Sequence, residues 1–305
     1  MPGVSDLVIL HEHPTWQSPL FAALERRGVT YTAVNARAHA FDPGAPLSPT
    51  PLVVFNQSSP SAYTRAGAER AVPLTLALLT ALEHSGARVL NGSRAFALEL
   101  SKSAQAALLL RLRIAHPRSL AFNDVGAALR AWPASAWPAL LKPEQGGSGA
   151  RIFLLQSGAE LTELLRKQPT LWHPDGLLLL QEYFPPRDVS RGIIRIELLG
   201  GKMLYAMRVV SHGAFNLCPS IACNPGAGDK ADEDETSVCA PKPAKPVEFY
   251  PFNEVPPEAV EAAERIAAAA GLDVCGIEYL EADDGRLIFY DVRGGRRGRG
   301  AGVGP

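Results

Sequence analysis

Short apolar runs alternate with amphipathic stretches along the first ninety residues of the chain. The apolar runs predict strands at 7–10, 31–34, 51–55 and 88–90, and the amphipathic stretches predict helices at 20–27 and 66–84. Gly28 and Gly86 follow these two helices, where glycine commonly ends a helix. Strands that alternate with helices predict βαβ units and a parallel sheet.

Polar side chains follow two of these predicted strands. They are His11, Glu12 and His13 after the first strand, and Asn56, Gln57 and Ser58 after the third. Ligands of parallel sheets bind beyond the carboxyl ends of the strands, which makes these residues candidate ligand contacts. The alternative is that they are exposed loop side chains, because loops are polar in any protein.

A different pattern begins after residue 91. Ser101 is a favoured N-cap residue and predicts a helix at 102–113. An apolar strand at 139–143 carries Lys142 near its end, and a glycine-rich segment at 144–150 leads into another strand at 151–155. The glycines are therefore expected at the tip of a hairpin, and not between a strand and a helix.

The first of two further hairpins joins 193–199 to 202–210 through Gly200-Gly201, a favoured two-residue turn. Counting from this turn pairs Leu199 with Lys202 and Arg195 with Ala206, and side chains alternate between the two faces. One face is then apolar and belongs to the core. The opposite face is either a cationic binding surface or a solvated polar face, and it holds Arg195, Glu197, Lys202 and Arg208.

The second hairpin joins 275–281 to 286–292 through Asp284-Gly285, which is among the strongest short turn signals. Counting back from this turn pairs Leu280 with Phe289 and Glu278 with Asp291. Like charges that face each other destabilise a sheet, and a divalent cation such as Mg²⁺ removes that cost. The alternative is a pair at the sheet margin with one carboxyl group protonated or solvated.

Composition excludes several classes of function. The 305 residues are 47% apolar and 20% charged with a formal net charge of −1, which predicts a globular protein without a basic nucleic-acid-binding domain. No apolar run reaches the ~18–20 residues of a membrane span, and the N-terminus lacks a signal peptide, so a cytoplasmic location is expected. Cys218, Cys223 and Cys239 lack the paired spacing of zinc sites and are expected to be reduced thiols, with Cys275 in the core.

Standard nucleotide-binding signatures are absent, since the chain has neither GxxxxGK[ST] nor GxGxxG between a strand and a helix. A lysine-bearing strand, a glycine-rich hairpin, an arginine-bearing hairpin and a paired-carboxylate hairpin follow one another instead. Over residues 91–292 this order resembles the ATP-grasp superfamily, and within it the RimK-type and glutathione-synthetase-like carboxylate–amine ligases. The matching segments are Ser101-Lys102, Leu141-Lys142-Pro143, Gly146-Gly147-Ser148-Gly149, Gln181-Glu182-Tyr183, Asp188, Arg195, Arg208 and Gly276-Ile277-Glu278.

The resemblance implies an α/β fold in three parts. An N-terminal parallel-sheet domain at 1–92 would precede a two-subdomain ATP-grasp fold. Its central subdomain, with the glycine-rich loop, would span 93–184, and its C-terminal subdomain would span 185–305.

The resemblance also implies a role for each matching residue. Lys102 and Lys142 would contact the phosphates of ATP as point charges, and Arg195 and Arg208 would neutralise the transferring phosphoryl group. Glu278 and Asp291 would hold Mg²⁺, for which Mn²⁺ is an alternative. The other contacts are Gly146, Gly147, Ser148 and Gly149 over the triphosphate, Gln181, Glu182, Tyr183 and Phe184 at adenine, and Asp188 at the ribose or the substrate.

The implied chemistry is ATP-dependent amide-bond formation. A substrate carboxylate would attack the γ-phosphate to give an acyl phosphate, and an amine would then displace phosphate. The expected partners are small-molecule or peptide carboxylates and amines, without a membrane or nucleic acid, and the oligomeric state stays open, a homo-oligomer included. Two alternatives are a kinase-like phosphotransferase on the same fold and a nucleotide-binding module that has lost catalysis.

Residue 293 departs from the family pattern, in which the last strand ends with an acidic residue, one spacer and asparagine. Arg293 follows Asp291-Val292, and alternation places it on the face of Asp291 as a cation instead of a metal ligand. Residues 293–305 hold six glycines and four arginines, which resembles an out-of-frame reading or a truncation, with an RNA-binding tail as the functional alternative. Restoring asparagine and a full terminus is expected to raise ATP turnover.

Overall fold

The computed structural model describes residues 6–45, 51–146, 149, 151–185, 187–188, 192–211 and 247–294. Gly147, Ser148, Cys218, Cys223, Cys239 and the residues after 294 lie outside the described part of the chain. The helices are α1 (Pro14–Arg26), α2 (Ala71–His84), α3 (Ser93–Glu99), α4 (Lys102–Arg111), α5 (Val125–Ala131), α6 (Gly158–Lys167) and α7 (Pro257–Ala270). The strands are β1 (Leu7–His11), β2 (Thr32–Asn35), β3 (Val53–Asn56), β4 (Arg88–Leu90), β5 (Ser119–Phe122), β6 (Ala139–Pro143), β7 (Phe153–Leu155), β8 (Leu178–Glu182), β9 (Ile193–Leu199), β10 (Lys202–Val210), β11 (Glu248–Pro251), β12 (Val274–Glu281) and β13 (Leu287–Gly294).

The first four strands form a parallel sheet in the order β2-β1-β3-β4, which confirms the predicted parallel sheet. The helix expected from residue 66 begins at Ala71. Gly67 has a left-handed backbone with φ +72°, and the Arg37 guanidinium binds the carbonyls of Ala66 and Gly67 at 3.2 and 3.1 Å. These contacts hold the segment before Ala71 in a non-helical conformation.

The central sheet is antiparallel, in the order β5-β8-β6-β7, with α5 and α6 against its apolar side. The predicted hairpin around the glycine-rich segment is confirmed, because β6 pairs with β7 and Leu141 lies opposite Phe153. Lys142 lies in the middle of this sheet, since β8 pairs with β6 on its other side.

The C-terminal sheet is also antiparallel, in the order β11-β10-β9-β12-β13. Its apolar face packs against the alanine-rich face of α7, where Ala263 and Ile266 are fully buried. Leu108 and Leu109 of α4 belong to the same core, so α4 packs on the C-terminal sheet. The C-terminal sheet and α4 therefore form one packed unit.

Asn91 joins the N-terminal sheet to the C-terminal sheet. Its side-chain amide donates to the Val274 carbonyl at 2.7 Å and accepts from the backbone N–H groups of Asp273 and Val274 at 3.0 and 3.1 Å. The Asp273 carboxylate accepts in turn from the Asn91 backbone N–H at 3.0 Å and pairs with Arg88. The end of β4 and the start of β12 are thereby held together.

The predicted register of the first hairpin is wrong beyond its turn. Lys202 lies opposite Leu199 as expected, but a bulge between Met203 and Tyr205 shifts the pairing, so that Arg195 lies opposite Met207 and not Ala206. A one-residue shift moves every later side chain to the other face of the sheet. Arg208 consequently pairs with Ile194 and does not share a face with Arg195.

In the second hairpin, the pairing register departs from the predicted one twice, by one residue in each direction, so the two shifts cancel. Leu280 pairs with Ile288 and not with Phe289, because Ala282 bonds to Arg286 at the turn. A bulge between Glu278 and Tyr279 then shifts the register by one residue in the other direction. Glu278 therefore lies opposite Asp291, and this pairing is confirmed.

Two expectations from composition can be compared with the structure. Cys275 is a free, buried thiol in the core, as predicted, and burial raises its pKa to about 12. Among the described residues, no helix combines the length and the apolar character needed to cross a membrane.

Candidate functional site

One face of the C-terminal sheet is polar, and the other belongs to the core. Two rows of paired residues lie on the polar face of β9, β12 and β13: Arg195–Glu278–Asp291 and Glu197–Gly276–Arg293. Ile196, Ile277 and Val292 lie between these rows and are buried on the opposite face. The alternation of side chains along three neighbouring strands thus gathers five charged groups on one surface.

Lys102 contacts this polar face from the start of α4. Ser101 caps the helix as predicted, with its Oγ accepting from the Ala104 N–H at 3.1 Å. Lys102 Nζ forms a buried ion pair with Asp291 Oδ1, and Arg293 Nε pairs with Asp291 Oδ2. Burial favours a higher pKa for Asp291, but the two adjacent cations more than offset this and hold the pKa below its usual range.

Lys142 reaches the same place from the central sheet. It is buried on β6, its Nζ donates to Gln181 Oε1, and the same nitrogen lies 5.3 Å from the ring centre of Tyr290. Burial and the Lys102 ammonium lower the pKa of Lys142 to about 8, against the opposing carboxylates of Asp291 and Glu278. Lys102, Lys142 and the facing carboxylates therefore interact at one site, although they come from a helix and from two different sheets.

Arg195 lies across Gly276 of the neighbouring strand. Its Nε is 2.6 Å from Glu197 Oε1, and its Nη1 is 3.8 Å from Glu278 Oε1. A Cβ atom at Gly276 would lie 2.5 Å from Arg195 Nε. Gly276 therefore leaves the space that the Arg195 side chain occupies, and its role is not to form a turn.

Replacing Gly276 by alanine is expected to displace the Arg195 guanidinium. A shift of about 1 Å in a group that positions the reaction can cost about 10²-fold in rate. We expect kcat for ADP release to fall by about 10–10²-fold, while overpacking lowers the free energy of unfolding by about 1–3 kcal/mol. Gly44→Ala is the control, because the nearest atom to its Cβ is 3.4 Å away in an exposed loop. Unchanged kcat in the Gly276 variant would contradict a role for the Arg195 position.

Arg208 lies apart from this group. Its guanidinium is 5.2 Å from the ring centre of Phe252. Arg208 is paired with Ile194 and Tyr250 on the neighbouring strands and shares their face of the sheet. The buried Arg208 Nε has no hydrogen-bond partner among the described residues. The prediction that Arg195 and Arg208 form one cationic face is therefore wrong, because the bulge in β10 reverses the orientation of Arg208.

Glu144 holds the base of the glycine-rich segment against α4. Its carboxylate accepts from the hydroxyl of Ser101 at 2.6 Å and from the Ser103 N–H at 3.1 Å, and the Lys102 N–H donates to the Glu144 carbonyl at 3.2 Å. The next residue, Gln145, bonds to Pro60 and Tyr63 of the N-terminal region at 2.9 and 2.7 Å. Glu144 is thus a positioning residue for Lys102.

Replacing Glu144 by alanine is expected to raise the KM for ATP by about 10-fold with a smaller change in kcat, because loss of a helix cap costs about 1 kcal/mol and shifts the start of α4. Steady-state ADP release at varied ATP concentration measures the changes in KM and kcat separately. Glu160→Ala is the matched control, since the Glu160 carboxylate accepts from the Gln156 N–H at 2.8 Å beside the N-terminus of α6. An equal change in KM in both variants would contradict a positioning role.

The predicted adenine segment lies at the end of β8. Gln181 accepts from Lys142 and donates to Ser119 Oγ at 3.1 Å, and the Glu182 carboxylate accepts from the Arg118 N–H at 3.2 Å. Phe184 lies 5.7 Å from the Arg286 guanidinium. The other predicted contacts differ in exposure: Gly146 is buried, Tyr183 and Gly149 are half-buried, and Asp188 is exposed.

Several polar residues at the carboxyl ends of β1 and β3 are buried, which excludes the exposed-loop alternative for them. Glu12 forms an ion pair with Arg65 at 2.6 Å and accepts from the Ser59 N–H at 2.9 Å. The buried members are His11, Glu12, Asn56, Gln57 and Ser58.

The carboxylates offer an unequal donor set for Mg²⁺. Glu278 Oε2 is buried and has no hydrogen-bond partner among the described residues, so it fits as a ligand of one ion together with phosphate oxygens. Both oxygens of Asp291 already contact cations, Lys102 and Arg293. Within the described residues, no group of three or more metal-binding side chains is present. Glu278 thus has an oxygen open to a cation, whereas both oxygens of Asp291 are paired with protein cations.

Sequence reasoning missed Tyr290 and Glu144. Tyr290 lies in the bulged part of β13 beside Lys142, and bulges have no reliable sequence signal; burial and the charges of Glu278 and Asp291 raise its pKa. No sequence signal identifies Glu144, because the acceptor for the first N–H groups of α4 can come from any part of the chain.

A parallel sheet followed by two antiparallel sheets that share a site of lysines, arginines and carboxylates is the ATP-grasp fold, as the sequence predicted, and solved structures show the same architecture. The chain superposes on the ATP-grasp ligase PsnB complexed with minimal precursor with a TM-score of 0.63 and 20% identity, over 97% of this chain and 92% of that one. The D-cycloserine synthetase DcsG superposes with a TM-score of 0.65 and 17% identity, over 94% of this chain and 91% of DcsG. The RimK domain protein of Sphaerobacter thermophilus superposes with a TM-score of 0.63 and 17% identity, over 94% of this chain and 90% of that protein.

No known protein-family profile matches the chain. Among curated proteins, the chain is similar to a D-alanine–D-alanine ligase of Granulibacter bethesdensis, with 29% identity over 180 residues. This similarity covers 58% of this chain and 53% of that protein, so the chain matches about half the length of this relative.

Proposed function

We propose that the chain is an ATP-dependent carboxylate–amine ligase that works through an acyl phosphate. The observation that carries the proposal is the buried meeting of Lys102, Lys142 and Arg195 with facing carboxylates between two sheets of an ATP-grasp fold. The proteins similar to it that are named above include ligases, among them the D-alanine–D-alanine ligase and PsnB. The division of the chain at residues 92 and 184 is part of the same proposal, with α4 of the central part packed on the C-terminal sheet.

ATP is the proposed nucleotide. PsnB has been solved with Mg and ADP, and a D-alanine–D-alanine ligase from Bacillus anthracis has been solved with ATP. In this chain, Lys142 and Lys102 would hold the phosphates, with Gln181 to Phe184 at the base. Glu278 would hold Mg²⁺, which supplies charge neutralisation to the phosphate oxygens when bound.

The chain's own residues position the reactants and stabilise charge. A carboxylate oxygen of the substrate attacks the γ-phosphorus and ADP leaves, so an acyl phosphate forms. The amine then attacks the acyl carbon, phosphate leaves, and the amine gives up a proton as the amide forms. Arg195 would neutralise the negative charge that develops on the transferring phosphoryl group, a type of stabilisation that supplies much of the rate of such reactions.

A peptide or a small molecule is the proposed carboxylate substrate. PsnB has been solved with a precursor peptide, and DcsG is a D-cycloserine synthetase. Both substrate sizes therefore occur on this fold, and the amine is proposed to come from the same range of compounds.

The decisive experiment measures ADP release with Mg²⁺ and ATP across a panel of amino acids, peptides and small acids, with mass spectrometry of the products. A ligase gives ADP release that needs both a carboxylate and an amine, and a product joined by an amide bond. A phosphorylated product formed without an amine would support a phosphotransferase and overturn the ligase proposal.

The Arg293–Asp291 contact favours a second candidate, a nucleotide-binding module without catalysis, because it occupies a carboxylate expected to be open. A module of this kind would show a Tm that rises with ATP, since a ligand that binds the folded state stabilises it, but no ADP release with any substrate pair. ADP release in the panel would exclude it.

A further inference from the structure

The carboxylate of Asp291 is shared between two cations. Lys102 contacts Oδ1, Arg293 contacts Oδ2, and the Asp291 side chain is almost completely buried. Arg293 is itself well shielded, with 22% of its side chain exposed. Both oxygens of the Asp291 carboxylate are therefore already paired with cations of the protein.

Glu278, directly opposite on β12, has a different environment. Its Oε1 is 3.8 Å from Arg195, while its Oε2 is buried without a hydrogen-bond partner among the described residues. A buried carboxylate oxygen without a partner is costly, and a divalent cation with phosphate oxygens would remove the cost. Two facing carboxylates therefore offer one open oxygen position for a metal ion and not two.

We propose that Arg293 takes the place of a second divalent cation, so that the nucleotide complex of this chain holds one metal ion, at Glu278. Sites that transfer phosphoryl groups can use two metal ions to neutralise phosphate oxygens. A second ion here would have to displace a guanidinium from Asp291 and then lie beside Lys102. The Arg293 guanidinium instead supplies a positive charge on the same face of the sheet as Arg195.

This inference rests on the proposed nucleotide site, and its test counts metal ions without needing turnover. Mn²⁺ is titrated into the full chain with a saturating non-hydrolysable ATP analogue, and bound Mn²⁺ is measured by electron paramagnetic resonance, with nucleotide binding measured separately by calorimetry. The expected ratio is about one Mn²⁺ per nucleotide in the wild type and about two in Arg293→Asn, which replaces the cation by an oxygen donor.

Two further variants separate charge from folding effects. Arg293→Lys keeps the cation and is expected to bind about one Mn²⁺ per nucleotide. Arg166→Asn changes an exposed arginine that pairs with Glu163 on α6, and the ratio should stay at the wild-type value.

The outcomes are distinct. Two Mn²⁺ per nucleotide in the wild type, or one in a folded Arg293→Asn protein, would overturn this inference while leaving nucleotide binding intact. No binding of the analogue to the wild type at any Mn²⁺ concentration would overturn the proposed function itself. Should Arg293→Asn fail to fold, Arg293→Gln removes the same charge, and one Mn²⁺ per nucleotide in that folded protein would overturn the inference.

Discussion

Replacing Lys142 by methionine is expected to lower kcat for ADP release by about 10²–10³-fold, the usual effect of removing one preorganised group that stabilises developing charge. Methionine fills a similar volume in the buried site on β6 and needs no counter-charge, so the protein should stay folded. The measurement is steady-state ADP release together with thermal unfolding. Lys202→Met is the matched control, because Lys202 is exposed and pairs with Glu264 away from the site.

The same lysine predicts how nucleotide affinity depends on pH. Its pKa of about 8 means that the ammonium loses its proton as the pH rises through that value. ATP affinity of the wild type should therefore fall above pH 8, and Lys142→Met should lack this dependence. Equal pH profiles in the two proteins, or wild-type turnover in the variant, would show that Lys142 does not contact the phosphates.

Replacing Asp291 by asparagine is expected to lower the free energy of unfolding by about 3–5 kcal/mol, because it leaves buried cations without their shared partner. Lys102 and Arg293 both lose a charged acceptor in this variant. Urea unfolding at neutral pH measures the change. Asp284→Asn is the control, since Asp284 pairs with Arg286 on the exposed turn of the same hairpin, and little change is expected there.

The stabilising effect of Asp291 should also depend on pH in a known direction. Its pKa is lowered in the folded protein, so the carboxylate contributes stability above the ordinary carboxyl range, and this contribution is lost as the pH falls into acid. The stability difference between wild type and Asp291→Asn should therefore shrink as the pH is lowered. A difference that stays constant from neutral to acid pH would mean that the charge of Asp291 is not the cause.

Much of the fold could be predicted because it follows from local pattern. The parallel sheet follows from strands alternating with helices, and the cap at Ser101 follows from the residue type. The facing of Glu278 and Asp291 was also predicted, although two offsets had to cancel for it to hold. Periodicity and turn chemistry are short-range signals on which the parallel sheet and the cap depend, whereas the pairing of Glu278 with Asp291 also depends on a bulge.

The orientation of Arg208 could not be predicted, because it depends on one extra residue in β10. Bulges are set by how a sheet twists and packs and have no consistent sequence pattern. One of the two partners of Asp291 could be predicted from the sequence, since alternation of side chains placed Arg293 on the same face. The contact with Lys102 needed the tertiary packing of α4 on the C-terminal sheet.

The bonds of Asn91 have a consequence for movement. They connect the N-terminal and C-terminal sheets, and α4 with Lys102 is packed on the latter, so these parts should rotate as one rigid body. Lys142 belongs to the central sheet, which contacts these parts through Glu144 and Gln145. Movement of the central sheet at these two contacts would change the separation of the two lysines, and a triphosphate bound by both would fix that separation.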